Sequence, residues 1–105
     1  MATSTGRTDM AEIRESKLER EASDWAEADG WLQFKFVSPG TTAVPDRIYI
    51  KNGVVVFGEW KRPGEEPTAQ QYKRMKEMKK HGAIVFWWDN LADFRRDLRQ
   101  AVSAR

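Results

Sequence analysis

The sequence predicts an α/β single domain with a mixed central sheet flanked by helices, in the order α-β-β-β-α-β-α. Apolar residues recur at helical spacing in separate stretches, and short β-rich runs bounded by turn residues lie between them. Between two of those runs sits Asn52-Gly53, the strongest short-range hairpin signal a sequence carries. With 105 residues the chain has material for one modest core, so a single unit is expected to hold all the chemistry.

The first eight residues are small, polar and unpatterned and are expected to be disordered, which leaves 9–105 as the domain. Over 9–29, Ile13, Leu18, Ala22, Trp25 and Ala26 fall at helical spacing among charged residues, and Gly30 ends the pattern. Residues 31–37 alternate, with Trp31, Gln33, Lys35 and Val37 on one side and Leu32, Phe34 and Phe36 on the other, which predicts a strand broken by the polar loop 38–42. Runs 46–51 and 54–61 flank the Asn52-Gly53 turn and are expected to pair antiparallel. The segment 62–68 holds Pro63, Gly64 and Pro67 and reads as a loop. Thr68 can cap a helix over 69–81, with Tyr72, Met75 and Met78 on one face and Gly82 as its stop. The continuous apolar run 83–88 fits a buried strand, and Leu91, Phe94, Leu98 and Val102 predict a last helix over 91–102.

Composition excludes several classes. There is no cysteine and only one histidine, His81, so disulfide frameworks, thiolate zinc sites and histidine-rich metal clusters are ruled out. Any bound metal must be held mainly by oxygen, the ligand type that Mg2+ and Mn2+ prefer. No apolar run is long enough to span a bilayer and the N-terminus has no apolar signal core, so the expected location is the cytoplasm. A net charge of +2 is weak evidence for a nucleic-acid partner.

The informative constellation is Val44-Pro45-Asp46 followed, thirteen residues after Asp46, by Glu59-Trp60-Lys61. Strand alternation puts Glu59 and Lys61 on one side and Trp60 on the other. The hairpin turn brings Asp46, at the start of one arm, near the end of the other. Two carboxylates and an ammonium are thus gathered at one place. A divalent ion held by Asp46 and Glu59 can polarise a phosphoryl oxygen and lower the pKa of a bound water, while Lys61 can orient or deprotonate that water or stabilise charge on phosphate. Phosphodiester hydrolysis needs those groups, although a solvated polar face is the ordinary meaning of so short a pattern.

Beyond the triad, five ordered pieces resemble the VRR-NUC domain, the virus-type replication-repair nucleases within the PD-(D/E)xK superfamily. They are Glu15-Ser16-Lys17-Leu18-Glu19, Phe34-Lys35-Phe36-Val37-Ser38-Pro39-Gly40, Val44-Pro45-Asp46-Arg47, Val56-Phe57-Gly58-Glu59-Trp60-Lys61 and Pro67-Thr68-Ala69-Gln70-Gln71, together covering about 15–89. The resemblance implies a restriction-endonuclease-like fold and a stand-alone metal-dependent DNA nuclease. It further implies a structure-selective endonuclease acting on branched DNA such as Holliday junctions or flaps, dimeric, associated with DNA repair and common in phage genomes. Asp46 and Glu59 then bind Mg2+ or Mn2+, the backbone carbonyl of Trp60 adds a ligand, and Lys61 is the catalytic lysine. A first-helix glutamate joins the site, with Glu19 favoured and Glu15 the alternative. Gln71 matches the family's glutamine, with Gln70 as the alternative register. Lys35 matches a family lysine that can contact phosphate. One departure is Ala43, where the family usually has glycine before Val-Pro-Asp.

Weaker candidates remain. Lys73 and Arg74, with Lys76, Lys79 and Lys80, can track a nucleic-acid backbone, although such runs are usually solvated faces. Trp87 and Trp88 read as core or interface rather than as base-stacking platforms. His81 reads as a helix-terminal cation or cap. The rival reading is a catalytically silent DNA-binding module or partner subunit, against which the intact Asp46, Glu59 and Lys61 speak.

Overall fold

The computed structural model describes residues 16–104. The expected disorder of residues 1–8 and the alternative site residue Glu15 lie outside the described residues.

Helix α1 spans Lys17–Ala28 and opens on Ser16, whose hydroxyl accepts the Glu19 N–H at 3.0 Å. Its inner face is built from Ala22 and Ala26, both fully buried, and such small side chains let the helix backbone approach the sheet. The Trp31 N–H closes on the Ala26 carbonyl, so Trp31 completes the helix exit and its indole enters the core. Strand β1 is therefore Leu32–Lys35, shorter than the expected 31–37. At its far end the paired register runs to Lys35 opposite Arg47, and a single further bond, from Phe36 N–H to the Asp46 carbonyl, follows before the Asp46 N–H turns to the Glu59 carboxylate instead of to β1.

Strands β2 (Arg47–Lys51) and β3 (Val54–Trp60) form the expected antiparallel hairpin. Asn52 and Gly53 both have positive φ, 50° and 79°, as a two-residue primed turn requires. Helix α2 (Ala69–Lys80) begins with a reciprocal capping box between Thr68 and Gln71. Strand β4 (Ile84–Trp88) returns parallel to β3, and α3 (Leu91–Ser103), capped by Asn90, closes the chain. The strand order β1-β2-β3-β4, two antiparallel pairings and one parallel, makes the sheet mixed as expected.

One sheet face packs on α1 and α3. Its core is aromatic: Tyr49, Trp60, Trp88 and Phe94 meet with ring centroids 4.8 to 5.8 Å apart. The polar ends of these rings are satisfied internally, since Trp60 donates to the Tyr49 hydroxyl at 3.0 Å and Trp88 to the buried Asp97 at 2.9 Å. Gly58 is bare beneath Trp88, and a Cβ there would lie 2.3 Å from the indole. The opposite face carries α2 over β4, anchored by buried Met75 and by contact of Tyr72 with Trp87. Further along that face the paired positions Leu32, Ile50 and Val55 and the row Phe34, Ile48 and Phe57 form an apolar flank, with Leu32 59% and Phe34 46% exposed. Among the described residues no helix is long and apolar enough to cross a membrane.

Candidate active site

The hairpin brings Asp46 and Glu59 together. Arg47 pairs with Gly58, so one step further in the same register Asp46 stands opposite Glu59, at a separation where paired Cβ atoms are about 5 Å apart. The Asp46 backbone N–H donates to the Glu59 carboxylate, and the Asp46 carbonyl accepts from Phe36 N–H at 2.9 Å, which fixes the strand entry. Lys61 lies just past β3, its N–H donating to the Trp88 carbonyl at 2.8 Å. That bond carries the β3–β4 pairing one residue further and keeps Lys61 beside Glu59.

The electrostatics follow from this convergence. Burial, and next the charge of Asp46, push the Glu59 carboxyl up from 4.5 to about 7, and Lys61 pulls against them. The ammonium offsets only part of the cost of holding a half-buried carboxylate beside a second one.

The two flanking helices supply the other expected residues. Glu19, in the first turn of α1, contributes to the field at Glu59 and lies 3.6 Å from the buried Arg47 guanidinium. Gln71 uses its carbonyl oxygen to accept the Thr68 N–H at 2.9 Å, which turns its amide nitrogen toward Glu59 in a long contact of 3.5 Å. Gln70 is exposed and makes no such contact. The loop after β3 is tied back by Asp89, which accepts from Gly64 N–H at 3.0 Å. The Asn90 amide, and next that bond, hold its carboxyl below the usual range.

The outlying candidates are more scattered. Lys35 is exposed on the edge strand, two strands from Glu59. Lys73 is exposed on α2, whereas Arg74 is engaged, pairing with Glu77 at 2.7 Å and donating to the Thr42 carbonyl at 3.4 Å. His81 is the C-terminal cap residue of α2, as expected. Trp88 is core, but Trp87 is not buried on both sides: it is partly exposed and lines a cleft beneath α2. The apolar run around it concealed this, because its cover is a single lysine-rich helix.

No family model matches the sequence. The chain is 42% identical over 65 residues, 61% of its own length and 70% of the relative's, to "Putative nuclease p44" of Acyrthosiphon pisum secondary endosymbiont phage 1. A solved structure described as a VRR_NUC domain is similar with a TM-score of 0.67 and 26% identity, covering 80% of this chain and 89% of that one. The chain belongs to the VRR-NUC family.

As a VRR-NUC nuclease domain it has the restriction-endonuclease-like fold, with the hairpin triad at the open end of the central strands. Ala43, where the resemblance expects glycine, has a φ of 65°, the left-handed region where glycine is strain-free. Arg47 and Asp97 are the buried charged residues among those described, and the sequence pattern signals their inward position. Arg47 precedes inward-facing Tyr49 by two, and Asp97 lies three residues after buried Phe94, so both fall on core-facing positions.

Proposed function

We propose that this VRR-NUC protein is a metal-dependent endonuclease that hydrolyses DNA phosphodiester bonds and selects branched DNA such as Holliday junctions or flaps. The observation that carries the reading is the opposition of Asp46 and Glu59 beside Lys61, with Glu59 pushed up to about 7. Two carboxylates incompletely offset by one ammonium match a cation-binding pair, and an all-oxygen donor set suits Mg2+ or Mn2+. Among the described residues no three Asp, Glu or His side chains converge as a closed cage. The ion would therefore rest on Asp46, Glu59 and the Trp60 carbonyl, with water as its remaining ligands. When bound, it supplies Lewis acidity toward phosphate and acidifies a water.

The chain's own residues do the rest. Lys61, restrained by its backbone bond to Trp88, positions the attacking water or takes its proton, and its charge stabilises the phosphate as negative charge develops. Gln71, its amide direction set by the capping box, offers an N–H to the Glu59 carboxylate and so keeps that side chain turned into the site. Glu19, held at Arg47, adds negative charge on the helix side. A homodimer suits a branched substrate, because two sites related by a two-fold axis can address two strands, and the exposed Leu32 and Phe34 flank offers a surface for it.

The test is incubation with labelled duplex, flap and four-way junction DNA in Mg2+, Mn2+ or EDTA. Junction or flap cleavage in either metal, none in EDTA and none by Lys61→Ala is the expected pattern. Tight binding with no cleavage in any metal would replace this reading with the binding-module one. Sedimentation at micromolar concentration should give a dimer for the parent and a monomer for the Leu32→Glu/Phe34→Glu variant.

A further inference from the structure

One strand outward from Glu59 lies a second concave surface. Trp87 is the β4 residue registered opposite Glu59, so the indole and the carboxylate leave the sheet on the same face, on strands about 5 Å apart. There α2 crosses β4, and a cleft of about 260 Å³ opens between Trp87 and the stripe Tyr72, Met75, Lys76 and Lys79. Those four positions share one helical face. Buried Met75 closes the bottom. Tyr72 and Trp87 meet at 88° with centroids 6.4 Å apart, giving two aromatic walls at right angles, and Tyr72 is held in place by its hydroxyl bond to Glu66 at 3.0 Å.

The charge of this cleft is one-sided. No acidic residue lines it. Elsewhere on α2 the Arg74 charge is met by Glu77, whereas Lys76 and Lys79 have no acidic partner within ion-pair distance among the described residues. An apolar slot with two ring walls and two uncompensated ammonium groups at its rim suits a flat apolar group carrying anions beside it. Its volume falls just under the roughly 300–1,000 Å³ of ordinary small-molecule sites, which leaves room for one base.

We propose that this cleft takes the base of one unpaired nucleotide of the DNA strand whose phosphate lies at Glu59, with Trp87 and Tyr72 against the base and Lys76 and Lys79 on the adjoining phosphates. The proposal rests on the nuclease reading and deepens it by naming what the site selects. A base inside a duplex has both faces covered by its neighbours and cannot offer one to an indole; a base leaving a branch point can. The slot thereby rewards substrates in which pairing stops next to the cleaved bond.

The test is fluorescence anisotropy of a fluorescein-labelled twelve-residue oligothymidylate, and of a blunt duplex of the same length, in EDTA so that neither metal nor cleavage enters. Trp87→Leu should weaken oligothymidylate binding by at least about fivefold and duplex binding by less than about twofold. Trp87→Phe, which restores a flat ring, should bind the oligothymidylate like the parent. Lys76→Gln/Lys79→Gln should weaken binding and make the slope of log affinity against log salt shallower by about 1 to 2. If Trp87→Leu fails to fold by circular dichroism, Tyr72→Leu on the exposed helix is read in its place with the same expectation. Oligothymidylate binding unchanged in the leucine variant, or lost equally for duplex, overturns the proposal. A parent that binds through the cleft yet cleaves no DNA in Mg2+ or Mn2+ retires the nuclease reading and leaves the cleft standing.

Discussion

Glu59 is where the site works against the fold. Its carboxyl titrates at about 7 in the folded protein and at 4.5 when unperturbed, so across that interval the unfolded chain releases a proton that the folded chain keeps. The group's contribution to stability is therefore fully present below pH 4.5, falls as the pH rises toward 7 and stays reduced above it. Glu59→Gln keeps an acceptor for the Asp46 N–H and removes the titration. In EDTA the variant should be more stable than the parent at pH 8 by on the order of 1 kcal/mol, allowing for solvent screening, and no more stable at pH 4. Urea unfolding at the two pH values checks this, and the same variant should cleave nothing. Ala43 is a second strained residue. Relief of its left-handed backbone in Ala43→Gly, less the entropy that glycine gives back to the unfolded chain, should raise stability by about 0.5 to 1 kcal/mol. A thermal midpoint at or below the parent's would show that the loop carries no such strain.

At the scale of elements, the hairpin was legible because its signal is local: Asn52-Gly53 sets the turn, and the turn sets the register of Asp46 against Glu59. Strand β1 was overextended because alternation alone does not reveal that the Trp31 N–H is committed to α1. Glu19 and Gln71 carry no local signal of their own. Their approach to Glu59 depends on how two helices dock against the sheet, and only the family resemblance pointed to them. The partial exposure of Trp87 is hidden for a related reason, since an apolar run does not say how much of each face a packed helix will cover. The close seating of β3 on Trp88 depends on Gly58 lacking a side chain. Because that indole is buried and bonded to Asp97, it has little freedom to retreat from a Cβ. Gly58→Ala is expected to cost about 2 to 3 kcal/mol in urea unfolding. A cost below about 0.5 kcal/mol would mean that the strand and the indole can part without penalty.

For the whole molecule, the aromatic core should add a loss of stability at alkaline pH. Burial pushes the Tyr49 hydroxyl up from 10.0 to about 12, so the unfolded chain ionises two pH units before the folded one can. The stability held below pH 10 is lost as the pH climbs to 12, by roughly 1 kcal/mol at pH 11 and up to about 3 kcal/mol in all. Unfolding at pH 9 and pH 11 should show this loss in the parent and a smaller one in Tyr49→Phe. The hairpin, finally, constrains ancestry. With a two-residue turn, residues that face each other across the arms are separated in the chain by an odd interval, here the thirteen from Asp46 to Glu59. Inserting one residue in one arm turns a carboxylate to the wrong face, whereas adding one to each arm preserves the pair. Descendants of this chain can vary the lengths of the loops before Asp46 and after Lys61, but between the two carboxylates only even changes, shared by both arms, keep them opposed. The parity of that interval should outlast the identity of every residue within it.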